Sequence, residues 1–139
     1  MIKNNMKHPI FTVFLGFISF QAFSIDAQQQ CTLNGNTPAE TKQYIRCLDK
    51  VIADLEREQK MWVNKLTLDL EKIKEDTGNS QLLPIFLRSV KNQASYQEDS
   101  CRWRYLQKMP NATKAAITYK QCEIAILNQH LSVLKQPLK

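Results

Sequence analysis

The chain has 139 residues, a formal charge of +6 and 43% hydrophobic residues, with only three glycines and five prolines. That length fits one domain with a modest hydrophobic core. So few glycines exclude a glycine-rich phosphate loop, while the basic balance suits anionic partners or surfaces at long range without requiring one.

At the N-terminus, Lys3 and Lys7 precede an apolar run from Ile10 to Phe20, followed by small and polar residues at Ala22, Ser24 and Ala27. This is the layout of a secretory signal peptide cut after Ser24 or Ala27. The run is about half of the roughly 20 residues a spanning helix needs, so no permanent membrane anchor is expected. Gln28-Gln29-Gln30 before Cys31 lacks the small apolar residues of a lipoprotein signal. Taking 1–27 as the signal leaves 28–139 as a single helical domain, still basic, exported to the periplasm or secreted.

All four cysteines, Cys31, Cys47, Cys101 and Cys122, follow the signal. An even count in an exported chain reads as two disulfides. Of the three pairings, Cys31 with Cys47 and Cys101 with Cys122 is preferred because each bridge then closes a short loop beside a predicted helix. A zinc site is the poorer reading, since there is no Cys-x-x-Cys and the mature chain has one histidine, His130. No metal and no cofactor are expected.

Asn34-Gly35-Asn36 forms a turn before the longest element, a helix from Thr37 to Asp76. Thr37 and Glu40 make a Thr-x-x-Glu capping box, Pro38 sits where no N–H is needed, and Gly78 ends the helix. Tyr44, Leu48, Val51, Leu55, Trp62, Leu66, Leu70 and Ile73 recur at three- and four-residue steps and define its buried face. Forty helical residues span about 60 Å against the roughly 35 Å of a compact domain this size, so the helix must bend, break or extend beyond the globule.

A second helix is predicted from a cap at Asn79 or Ser80 to about Tyr105. Its apolar face is Leu83, Phe86 or Leu87, Val90, Ala94 and Cys101. After a loop at Lys108 to Asn111, a third helix runs from Asn111 or Thr113 to Lys135, where Gln136-Pro137 stops it. Tyr119, Cys122, Ile126, His130 and Val133 form its stripe, widened by Ile124, Leu127, Leu131 and Leu134. The fold class is all-α: a small antiparallel bundle of three helices with one very long first helix, stapled by two disulfides.

Candidate sites are few. Nucleophilic catalysis needs a base beside Ser or Cys, and His130 on a helix stripe reads as a packed or rim residue. Carboxylate pairs such as Glu56 with Glu58, or Glu98 with Asp99, could serve glycoside chemistry but read better as solvated charge on a lysine-rich surface. No catalytic residues are therefore assigned, and the chain does not read as an enzyme. The segment Cys101-Arg102-Trp103-Arg104-Tyr105 mixes cations with aromatics as single-stranded nucleic-acid binders do. In an exported protein nucleic acid is not the expected partner. The candidate partner-binding residues are Glu98, Asp99, Arg102, Trp103 and Arg104.

The order Cys31, Thr37, Glu40, Cys47 and Asp54-Leu55, then Tyr96 and Glu98 leading to Cys101, then Cys122, resembles the LprI-type lysozyme-inhibitor N-terminal domain family over nearly all of the mature chain. The resemblance implies an envelope protein that inhibits lysozyme-type muramidases by stoichiometric binding. The alternative is a helical envelope interaction module, or an immunity-type protein, that binds another protein or an anionic surface. A clustered acidic patch beside an exposed aromatic would favour lysozyme; a uniform basic face would favour the alternative.

Overall fold

A computed structural model of the protein describes residues 31–138 apart from 34 and 36. The predicted signal peptide, its cleavage site, the glutamine triplet and both asparagines of the first turn lie outside the described residues. Three α-helices follow one another, α1 (Pro38–Thr77), α2 (Leu82–Lys108) and α3 (Ala112–Leu134). Among the described residues there is no strand.

The first helix begins as its sequence demands. The Thr37 hydroxyl accepts from the Glu40 N–H at 3.3 Å, and the Glu40 carboxylate accepts from the Thr37 N–H at 3.1 Å, closing the capping box. The Thr37 hydroxyl also donates to that carboxylate at 2.6 Å, and this bond, with the one from the Thr37 N–H, holds the Glu40 carboxyl below its ordinary range. Gly35 lies against the same carboxylate, where a Cβ would press on it. At the other end Gly78 takes left-handed geometry (φ 74°) and its N–H reaches the Lys74 carbonyl at 2.8 Å. A side chain at that φ would be strained, and glycine is the residue that adopts it freely.

All 40 residues of α1 form one unbroken helix, so it does not break, and its C-terminal end extends beyond α3. Four side-chain contacts fix why. Tyr44 accepts from Gln121 at 3.0 Å, Asp49 pairs with Lys120, Gln59 meets His130 at 2.7 Å, and Glu58 pairs with Lys135 at 2.6 Å. These link residues of α1 and α3 at nearly constant offset, so the two helices run parallel and α3 stops alongside Glu58. Roughly the last five turns of α1 project past it and, among the described residues, have the start of α2 alongside. There Leu66 and Leu70 are buried, and Leu82, Leu83, Phe86 and Val90 of α2 are half-buried.

The main core lies at the other end, where all three helices run together. Tyr44, Leu48, Val51, Ile52 and Leu55 of α1 meet Ile124, Leu127 and Leu131 of α3, and the Cys31–Cys47 bridge closes over the cluster. The second bridge, Cys101–Cys122, staples α2 to α3 with Cα atoms 5.5 Å apart. Trp62 only packs against the edge of the core.

Several sequence expectations need correction. The second helix starts at Leu82 with Gln81 as an N-cap that makes no side-chain bond, because Asn79 instead accepts from the Gln81 N–H within the turn. It runs to Lys108 and halts there because Pro110 disfavours helical geometry at Met109. Leu87 and Ala94 are exposed, and the buried residues of α2 are Ser100 and Cys101. On α3 the centre of the buried face is Ile124, Leu127, Leu131 and Leu134, while Val133 is 57% exposed. This helix is apolar around more than half its circumference because it packs on two neighbours, and periodicity alone could not choose the phase of its stripe.

Candidate functional site

The structure divides the predicted partner-binding residues among three sides of α2. At 100° per residue, Glu98 and Arg102 fall on one flank, Asp99 and Trp103 on the outer face, and Arg104 on the opposite flank. Glu98 and Arg102 pair loosely at 3.8 Å, both well solvated. Trp103 is 53% exposed, and the Arg104 guanidinium lies 4.2 Å from its ring centroid while donating to the Ser100 carbonyl at 2.7 Å. Tyr96 and Leu106 share the outer face with Trp103, and both are exposed. Asp99 is exposed beside them.

The flank that carries Glu98 opens onto a concave feature that sequence reasoning did not find. Glu56 from α1, Glu98 from α2 and Glu123 from α3 line one cleft of about 390 Å³, with Tyr119 at its edge and Leu127 at its floor. Each helix brings its glutamate for a local reason. Tyr119, Glu123 and Leu127 are spaced by four, so Glu123 is drawn inward by apolar neighbours one turn on either side. Glu56 follows the buried Leu55, and Glu98 lies three residues before the bridge at Cys101.

Burial raises the Glu123 carboxyl above its ordinary value, and the Glu56 carboxylate adds to that; Lys120 and the Gln97 amide pull the other way. Tyr119 is raised as well, first by burial and then by Glu123 and Glu98. The cleft is thus a place where negative charge is crowded and partly dehydrated, which a cation entering it would relieve. Beyond Tyr119, Glu98, Arg102, Tyr105 and Lys120 line an adjoining hollow of similar size. Tyr105 and Tyr119 meet there edge to face with centroids 6.3 Å apart.

His130 is half-buried and engaged with Gln59, and burial lowers its pKa. Among the described residues no Ser or Cys stands paired with it, and the cysteines are all oxidised. Among the described residues no group of three or more His, Cys, Asp or Glu could hold a metal ion, the three glutamates included. None of the described helices is long and apolar enough to cross a membrane. The two bridges belong to an oxidising environment outside the cytoplasm.

Comparison of the chain with protein-family models, with curated proteins and with solved structures returns no match.

Proposed function

We propose that the mature chain is an exported binding protein, periplasmic or secreted, that inhibits a lysozyme-type muramidase by occupying it stoichiometrically and has no turnover of its own. The observation that supports this reading is the cleft of Glu56, Glu98 and Glu123 with Tyr119 at its edge. Lysozymes are usually basic, and the mature chain, still basic once Lys3, Lys7 and Asp26 are removed, would be repelled by one at long range. Only a local concentration of carboxylates offsets that, and the cleft supplies three in a concave, partly desolvated setting where a lysine or arginine of the partner gains most. The resemblance to the LprI-type family points the same way.

The test is a lysozyme activity titration with purified, oxidised protein at low and physiological salt, since screening over about 8 Å at physiological ionic strength weakens the bulk repulsion. Inhibition should reach its end point at a fixed molar ratio and weaken in the Glu56→Gln/Glu98→Gln double variant. Absence of inhibition at micromolar protein under both conditions refutes the reading. A second reading, a helical interaction module or immunity-type protein for another target, is favoured by the exposed stripe of Tyr96, Trp103 and Leu106. Capture of a non-muramidase partner, lost on Trp103→Ala, would replace the first with the second.

A further inference from the structure

A second cleft lies on the other side of the bundle. The starts of α1 and α3 border an open hollow of about 1090 Å³. On α3, Tyr119 and Glu123 of the acidic cleft and Lys114, Thr118 and Gln121 of this one are separated by roughly 150° of helix rotation, so the two clefts open on opposite faces. Among the described residues three cations line this larger cleft, Lys42, Arg46 and Lys114, and no carboxylate does. Its floor is aliphatic, from Ile45 and Ile117, with no aromatic ring among the described residues that line it.

Its electrostatics are uncompensated. Lys42 and Arg46 are one turn apart on α1, a like-charge pair that weakens the free helix. The acid nearest Arg46 along the helix, Asp49, is held by Lys120 of α3. Among the described residues none of the three cations makes an ion pair. The N-terminal ends of α1 and α3 also open at this end of the bundle, where their dipoles are positive. An anion seated between Lys42 and Arg46 turns a repulsion into two attractions.

The geometry points to a docking site for an acidic peptide segment, in extended form, from a partner protein. The spacing selects the backbone: Cβ atoms four residues apart on a helix lie about 6 Å from each other. Alternate side chains on one face of an extended strand are about 6.6 Å apart. Carboxylates at alternate positions therefore meet Lys42 and Arg46 in turn, with Lys114 across the cleft. The side chains between them point to the opposite face of the strand, toward α3, where aliphatic groups cover Ile117. A sugar polymer of the same charge lacks those aliphatic groups, and the cleft offers it no ring to stack on. This assignment is independent of the muramidase reading, since it uses the opposite face of the molecule.

The experiment measures fluorescence anisotropy with a labelled Glu-Val-Glu-Val-Glu peptide and the oxidised protein. Comparison probes are Glu-Gly-Glu-Gly-Glu and an oligogalacturonate of equal charge used as competitor. Saturable binding of the first probe is expected, several-fold tighter than the glycine version and poorly competed by the glycan. Lys42→Gln/Arg46→Gln should weaken it about tenfold or more, the loss of two charge-assisted contacts. Lys72→Gln/Lys74→Gln, which removes the same charge from the far end of α1, should leave it within about twofold. Melting curves of both variants within a few degrees of the parent establish that they fold. Equal losses from the two variants, equal binding of the glycine probe, or equal competition by the glycan overturns the assignment. So does no binding, or probe-independent self-association through the cleft. Lysozyme titration of the Lys42→Gln/Arg46→Gln variant should be unchanged, which keeps this outcome separate from that of the acidic cleft.

Discussion

Leu48 offers the sharpest test of the architecture, because it is completely inaccessible (0% exposed) and sits between Tyr44, Val51 and Ile52 on its own helix and the leucines of α3. Leu48→Ala removes three carbon atoms, worth about 2.4 kcal/mol of transfer free energy at about 0.8 kcal/mol each. A cavity term adds to that, and buried Leu→Ala changes span roughly 2.7–5 kcal/mol in total. Little collapse is available here: the neighbouring residue is Cys47, tied to Cys31 by a bridge, and the facing Ile124 and Leu127 are themselves fully buried. A cost of about 3–4 kcal/mol follows. In a domain near 100 residues that is a fall of about 12–16 °C in Tm, at about 4 °C per kcal/mol. The assay is a thermal melt of oxidised protein followed by far-ultraviolet circular dichroism. Val133→Ala, which sequence periodicity groups with the α3 core but which is exposed in the structure, serves as control and should move Tm by no more than about 2 °C. A Leu48→Ala shift below about 4 °C, or an equal shift from Val133→Ala, would refute the phase assigned to α3 against α1.

Other expectations are as direct. Non-reducing peptide mapping should recover Cys31 with Cys47 and Cys101 with Cys122, and Cys101→Ser/Cys122→Ser should cost about 3 kcal/mol through the freed unfolded chain. Thr37→Ala should lower stability by about 1 kcal/mol by opening the cap of α1, read as a shift in urea midpoint. Glu123 is raised in the folded state, so its protonated form is favoured there. Its contribution is fully present below the unfolded value of 4.5 and lost as pH rises through the folded value. Glu123→Gln should therefore gain stability relative to the parent as pH rises from 4 to 8. His130 is lowered, so its contribution is full above 6.5 and lost as pH falls toward the folded value. His130→Gln should flatten the acid side of the stability profile between pH 6.5 and 5, and an unchanged slope would contradict the burial assigned to the ring.

What could be read from the sequence was whatever has a local cause. The capping box at Thr37 and Glu40 and the glycine stop at Gly78 act within a few residues, and both stand where their patterns put them. The buried face of α1 was legible because that helix has one dominant apolar stripe. For α2 the pattern misled at Leu87 and Ala94, since its first turns are nearly all apolar and most of that helix stays exposed. The acidic cleft was invisible for a different reason. Glu56, Glu98 and Glu123 come from three helices, and each alone looks like surface charge; only the packing of all three helices brings them together. One signal was available, the spacing of Tyr119, Glu123 and Leu127, which puts a carboxylate on a face otherwise apolar. The basic cleft was hidden in the same way, because Lys42 and Arg46 meet Lys114 only once α3 lies parallel to α1.

The bridge between Cys101 and Cys122 also changes what the loop between α2 and α3 is for. Met109, Pro110 and Asn111 are exposed, and with the bridge flanking them on both sides they no longer carry the task of keeping α3 attached. A protease that cuts there severs the sequence but not the molecule. The nicked form stays one covalent species until a reductant is added, after which α3 is held by packing alone, chiefly of Ile124, Leu127 and Leu131 against α1. That is a form of damage tolerance built into covalent connectivity rather than into resistance of the loop itself.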